Sequence, residues 1–203
     1  MYRRGRHSTQ RAAIFGIAVA VALAGCGGGH SAAVSATAGS APASTAPFAW
    51  LRPGPAAPAW RVAHLRSGAA LAQPPGWRPV RTDAGTASFA LRGSDRAIVA
   101  YLNATPRQGA ETLANWPSFR VHHNAEEGSR DIRTLAAARG LRFRSGSGSC
   151  VIDQYRTSAR SYREIACLVA GYGRATVIVA AATPALWPAE APVIERAISA
   201  FIG

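Results

Sequence analysis

The chain has 203 residues, with 23 basic and 10 acidic side chains, a formal charge of +13, 48% hydrophobic residues and 16% charged ones. That is one ordinary domain plus additional segments, too apolar for a disordered protein. Its longest purely apolar run, residues 12–24, falls short of the about 20 residues that span a bilayer, which excludes a polytopic transporter.

All 23 basic residues are Arg. Four of them, Arg3, Arg4, Arg6 and Arg11, stand in a stretch without acids, which leaves +9, thirteen less four, on residues 26–203. Such a surface is attracted to anionic headgroups or envelope polymers. The arginines are scattered and show no recognition-helix pattern, so no nucleic-acid partner is expected.

Residues 1–11 form a basic n-region and 12–24 (AAIFGIAVAVALA) an apolar h-region of secretion-signal length. The run stops at Leu23-Ala24-Gly25-Cys26, which resembles the lipobox of bacterial lipoproteins. The chemistry needs a thiol for thioether attachment of a diacylglyceryl group and small residues before it for the peptidase. The resemblance implies lipid attachment at Cys26, cleavage after residue 25, and a protein held on the extracytoplasmic face of the cell membrane; a single acyl chain would bind only marginally, so two or three are implied. The competing reading is an uncleaved signal anchor with Cys26 as a bystander. Residues 26–47, almost all Gly, Ala, Ser, Thr and Pro beside Cys26, His30 and Val34 and without Asp, Glu or Arg, can bury no core and read as a flexible tether.

Residues 48–203 are expected to form one domain, best defined over 75–203. Residues 48–75 bring Trp50 and Trp60 between prolines and read as a transition, with short edge strands at Arg61–Leu65 and Ala69–Ala72. Gly85–Leu91 and Ala97–Leu102 are β-rich and flank Arg92-Gly93-Ser94, which predicts a hairpin. Glu111–His123 places Leu113, Trp116 and Phe119 at helical spacing with Glu111 in the first turn, and Pro117 predicts two short helices or a kink at Asn115–Trp116. Asp131–Leu135 reads as a short strand and Ala136–Gly140 as a turn. Ser149–Arg156, Tyr162–Ala170 and Ala175–Ala182 predict an antiparallel meander. Val193–Ile202 carries an apolar stripe of Val193, Ile194, Ala197, Ile198 and Phe201, an amphipathic C-terminal helix in which Pro188 and Pro192 fit only the opening turns.

With Cys26 taken by lipid, an extracytoplasmic compartment favours a disulfide between the remaining pair. A hairpin centred near Ser158–Ala159 puts Cys150 almost opposite Cys167, so a cross-strand bridge is expected.

No catalytic, cofactor or metal site is expected. His122-His123 point to different sides of a helix and lack metal-ligand spacing. Ser145-Gly146-Ser147-Gly148-Ser149 lacks the Lys of a phosphate loop and the G-x-S-x-G pattern, and reads as a flexible entry to a strand. Asp153 lies mid-strand opposite the Arg163/Glu164 region, where a cross-strand Arg partner would account for it. Asn103-Ala104-Thr105 matches a glycosylation sequon too common to carry meaning. Trp77, Trp116, Phe119, Tyr155, Tyr162, Trp187 and Phe201 either pack a core or line a groove between sheet and helices.

The lipobox, the tether, Pro75-Gly76-Trp77, the hairpin, the meander with its two cysteines and Trp187 before the last helix together resemble the small actinobacterial lipoproteins of the LpqN type, built on a PsbP-like sandwich. The resemblance implies an α+β fold, an antiparallel sheet covered by helices, and carries over no catalytic residue. The expected function is a non-enzymatic accessory or binding module of the cell envelope, with an envelope protein or polymer as partner. The alternative is a carrier of an apolar molecule or lipid between sheet and helices. A cavity of about 300 Å³ or more lined by these aromatic residues favours the carrier, and a filled core with an exposed basic or aromatic patch favours the protein or polymer partner.

Overall fold

The meander alternates so regularly that it sets the layers of the molecule. In the computed structural model, which describes residues 46–203, Ser147–Arg156 (β7), Ser161–Ala170 (β8) and Thr176–Ala182 (β9) pair antiparallel. The signal segment, Cys26 and almost all of the tether lie outside the described residues. Because side chains alternate across a strand, Ile152, Ile165 and Ile178 point to one face, and Val151, Ala166 and Val179 to the other.

Six further strands complete the β structure: Arg61–His64 (β1), Ala70–Gln73 (β2), Arg78–Pro79 (β3), Ala87–Arg92 (β4), Ile98–Pro106 (β5) and Arg130–Arg142 (β6). Seven form one antiparallel sheet in the order β3-β4-β5-β9-β8-β7-β6, and β1–β2 is a separate hairpin. β6 runs through both the strand and the turn expected at 131–140. Three register shifts against β7 and a left-handed Gly140, with φ of 67°, bend it without ending it; such bulges break the alternation by which a strand is recognised.

Two helices cover opposite faces. Trp187–Ser199 (α2) turns Ile194, Ala197 and Ile198 onto the larger apolar layer with Trp77, Leu71 and Phe201. It begins six residues before the Val193 expected from the stripe, and Pro192 lies inside it. The expectation erred because only one backbone bond is forfeited there, and the buried stripe outweighs it. Residues 48–75 belong to this layer. Phe48 is buried, Gly54 N–H donates to Ser199 O at 3.2 Å, and Ala70 and Ile202 exchange backbone bonds of 2.8 and 3.1 Å.

Trp116–Glu126 (α1) lies on the other face, against β6, β7 and β8. It is a single helix, and Pro117 opens it, where a missing N–H costs nothing. Glu111 is therefore in the preceding loop rather than in a first turn. Cys150 and Cys167 face each other in the β7–β8 register and are disulfide-bonded, with Cα atoms 4.1 Å apart, on the α2 side of the sheet. The Ser/Gly segment 145–149 is packed rather than loose: a Cβ at Gly146 would stand 2.1 Å from Ala170 O, and Ser145 Oγ accepts the Gly203 N–H at 2.7 Å. Among the described residues no helix is long and apolar enough to cross a membrane.

Candidate functional site

The buried stripe of α1 is Trp116, Arg120 and Asn124, spaced i, i+4, i+8, so the helix sets polar groups on the sheet. Beneath it a row of residues crosses four strands: Tyr101 of β5 pairs with Ala181 of β9, Ala181 with Glu164 of β8, and Glu164 with Asp153 of β7. The small side chain of Ala181 leaves room above it. Tyr101 Oη reaches across to Glu164 Oε2 at 3.0 Å, and Tyr155 Oη meets the same oxygen at 2.9 Å.

Arg120 donates from Nε to Glu164 Oε1 at 2.7 Å and from Nη2 to Oε2 at 2.9 Å. The two tyrosine oxygens are 2.8 Å apart. Both hydroxyls are placed to donate to Glu164 Oε2, and two hydroxyl protons cannot fill all three contacts at once, so either hydroxyl can donate to the other only by giving up its bond to the carboxylate. Burial works against the Arg120 charge, but the adjacent Glu164 more than compensates and holds its pKa above the ordinary Arg value. Burial first, and then the Glu164 charge, push both tyrosines up.

Asp153 is fully buried in this row, with Asn124 Nδ2 3.5 Å from Oδ2 and no partner for Oδ1. Its expected Arg partner is not there. Arg163 sits on the opposite face of β8, over the Trp187 ring at 4.9 Å, because adjacent residues of a strand point opposite ways. Burial and then the Glu164 charge push the Asp153 carboxyl up to about 7, against the opposing pull of Arg120.

Because α1 covers only one side of this face, the outer strands are left open beside it. A cleft of about 610 Å³ results. Its floor comes from Ser88 and Ala90 of β4, Tyr101, Asn103 and Thr105 of β5, and Val177 and Val179 of β9; its wall is Trp116, Phe119, Arg120, His123 and Glu127. The volume lies in the range of about 300–1,000 Å³ typical of small-molecule sites. Floor polar groups serve one another: Asn103 Nδ2 donates to Ser88 Oγ at 2.6 Å, and Thr86 and Thr105 hydroxyls are 3.0 Å apart.

One end of the cleft is the loop 107–115. Glu111 organises it, accepting the Gln108 N–H at 3.0 Å on Oε1, while Arg107 Nη1 donates to Glu111 O at 3.3 Å. Glu111 is 4% exposed, and its Oε2 has no hydrogen-bond partner. Burial raises its pKa, but backbone donors at 108, 109 and 111 and the Arg107 charge together outweigh it and keep the carboxyl ionised below its usual range.

The fold is PsbP-like. Among solved structures the chain is similar to the cyanobacterial PsbP protein CyanoP of Synechocystis sp. PCC 6803, at 12% identity and a TM-score of 0.51, covering 73% of this chain and 96% of that one. It is also similar to a protein of unknown function and putative regulator, PA94 of Pseudomonas aeruginosa (17% identity, TM-score 0.47, 71% of this chain and 96% of that one). A further similarity is to LpqN of Mycobacterium tuberculosis, described as involved in cell envelope biogenesis (13%, TM-score 0.40, 71% and 91%). No protein-family model and no curated protein matches the chain.

The aromatic set expected either to pack or to line a groove divides between the two. Trp77, Trp187 and Phe201 join the α2 layer, and of the seven only Trp116 and Phe119 reach the cleft. His122 and His123 pair with Glu126 and Glu127 of their own helix end. Glu111, Arg120 and Glu164 do not stand out as site residues in the sequence. The spacing of Trp116, Arg120 and Asn124 is the signal that points to them, and the apolar periodicity of Leu113, Trp116 and Phe119 masks it. Among the described residues, no Ser, Thr or Cys side chain bonds to a His or carboxylate, so no activated nucleophile of that kind is assembled.

Proposed function

We propose that this chain is a lipid-anchored, extracytoplasmic, non-enzymatic binding module of the cell envelope, and that its cleft beside α1 takes a small amphiphilic molecule. The cleft itself carries the reading: about 610 Å³ stands open over Val177 and Val179, while the middle of the sheet's other face is covered by Ile194, Ala197 and Ile198 of α2. A module acting only through its surface has no need of an open, partly apolar cleft between sheet and helix. Anchorage rests on Leu23-Ala24-Gly25-Cys26, and the basic balance of the rest suits a position at an anionic envelope surface.

Native mass spectrometry of the protein purified from a lipid-containing host, compared with its denatured mass, tests the reading. An adduct that vanishes on denaturation is the expected result and supplies the ligand's mass. A clean apo mass, together with crosslinking of the protein to an envelope protein or polymer, would overturn the small-molecule reading.

A further inference from the structure

Four segments meet at the end of the sheet where α2 stops. Residues 143–146 join β6 to β7, residues 171–175 join β8 to β9, residues 65–69 turn β1 into β2, and the chain closes on Gly203. They are locked together. Ser145 Oγ accepts the Gly203 N–H, Gly203 O accepts the Tyr172 N–H at 3.3 Å, a Cβ at Gly171 would overlap Gly203 O, and one at Gly173 would stand 3.2 Å from Ser67 O. The segment that follows the tether arrives at the same end, where the Arg52 and Gly54 N–H groups donate to Ser199 of α2.

Arg52, Arg66, Arg142, Arg144 and Arg174 are all exposed here, and among the described residues none of them forms an ion pair. No Asp or Glu stands in residues 46–54, 65–69, 142–146, 171–175 or 200–203, so five positive charges face only the carboxyl of Gly203. Acids gather at the opposite end of the sheet instead: Asp95 in the β4–β5 turn, Glu126 and Glu127 at the close of α1, Asp131 at the start of β6 and Glu190 in the first turn of α2. Two arginines there, Arg156 and Arg160, are paired with Asp131 and Asp95. A charge distribution so one-sided orients a molecule on an anionic surface. Tyr172, 86% exposed, shares its loop with Arg174. A lone exposed Tyr needs no explanation, but an aromatic ring beside outward-reaching arginines is the composition that settles at the headgroup level of a bilayer.

Resting on the reading of the chain as an envelope protein anchored at Cys26, we infer that this end lies on an anionic bilayer surface, its five arginines on lipid phosphates and Tyr172 at headgroup level, with the acidic end directed away. Cys26 is acylated in that reading and Cys150 is bonded to Cys167, so Tyr172→Cys, or Ser94→Cys in the β4–β5 turn, offers a single thiol for a nitroxide. The full chain, purified with its acyl groups, is reconstituted in vesicles of phosphatidylcholine alone or of phosphatidylcholine with phosphatidylglycerol. The label at 172 should be at least about three-fold less accessible to a neutral aqueous nickel chelate on the anionic vesicles than on the neutral ones, and the label at 94 equally accessible on both. Arg66→Gln, Arg142→Gln and Arg174→Gln together should erase the difference while melting like the parent; Arg144, which donates to Ala200 O at 3.3 Å, is left in place.

Equal accessibility at 172 on the two kinds of vesicle, protection at 94 instead, or protection that survives in the folded triple variant overturns the inference and leaves the anchor and the cleft standing. The mass of the purified chain reads the anchor separately: a chain without acyl groups overturns the anchored reading and this orientation with it. If the triple variant does not fold, the two labels on the two kinds of vesicle still decide the matter.

Discussion

Arg120 and Glu164 meet through two parallel hydrogen bonds, 2.7 and 2.9 Å long, between a helix and the middle of a sheet, with the carboxylate wholly shut from water. This pair fixes where α1 lies and hence where the cleft opens. Removing one partner strands the other. Arg120→Met is expected to cost roughly 3–5 kcal/mol in a denaturant melt. Adding Glu164→Leu should recover part of it, because no charge is then left buried; a double variant less stable than Arg120→Met would contradict this account.

Asp153 makes stability pH-dependent in a defined direction. Its folded pKa, raised by burial and by Glu164, is about 7 against the ordinary 3.8. The folded state therefore binds the proton more tightly than the unfolded one, and this contribution is complete below about pH 4 and lost as pH rises through about 7. Asp153→Asn should flatten the decline in melting temperature over that window and be the more stable form at alkaline pH. An unchanged pH profile in the variant would contradict the assignment.

The disulfide closes a loop across β7 and β8, with a sequence separation of 17 between Cys150 and Cys167. In the chain-entropy model that is worth about 3 kcal/mol. Replacing both cysteines by Ala should lower the unfolding free energy by this amount and leave ligand binding in the cleft intact, because the bridge points to the opposite face. Mass spectrometry before and after reduction checks that the pair is bonded in the native compartment.

Gly146 is required by close approach. Gly146→Ala would put a Cβ against Ala170 O and force β7 and the β8 end apart, an expected loss above about 2 kcal/mol. A melt of the variant within experimental error of the parent would show that the segment yields as a loose loop would.

Cys26→Ala tests the anchor independently of the fold. The variant should fail to label with palmitate and should leave the membrane fraction or accumulate unprocessed. Unchanged labelling would remove the lipobox reading.

The amino-acid sequence by itself determined the meander, the register that brings Cys150 opposite Cys167, and the apolar stripe of α2, because each depends on alternation or on i, i+4 spacing over a short stretch. It did not display β6 as one strand, since bulges between Arg130 and Leu141 shift the period. It misplaced Glu111, because Pro117 admits a helix start as readily as a kink. The site was less legible still. Arg120 and Glu164 are 44 residues apart, and in sequence each reads as an ordinary charged surface residue.

Only the tertiary structure decided that α1 covers one side of a sheet face and leaves the other side open. That choice depends on Arg120 finding Glu164, and Tyr101 reaching over Ala181 to the same carboxylate. The strength of such contacts comes from water excluded by four strands and a helix together, a property that no local stretch of chain possesses.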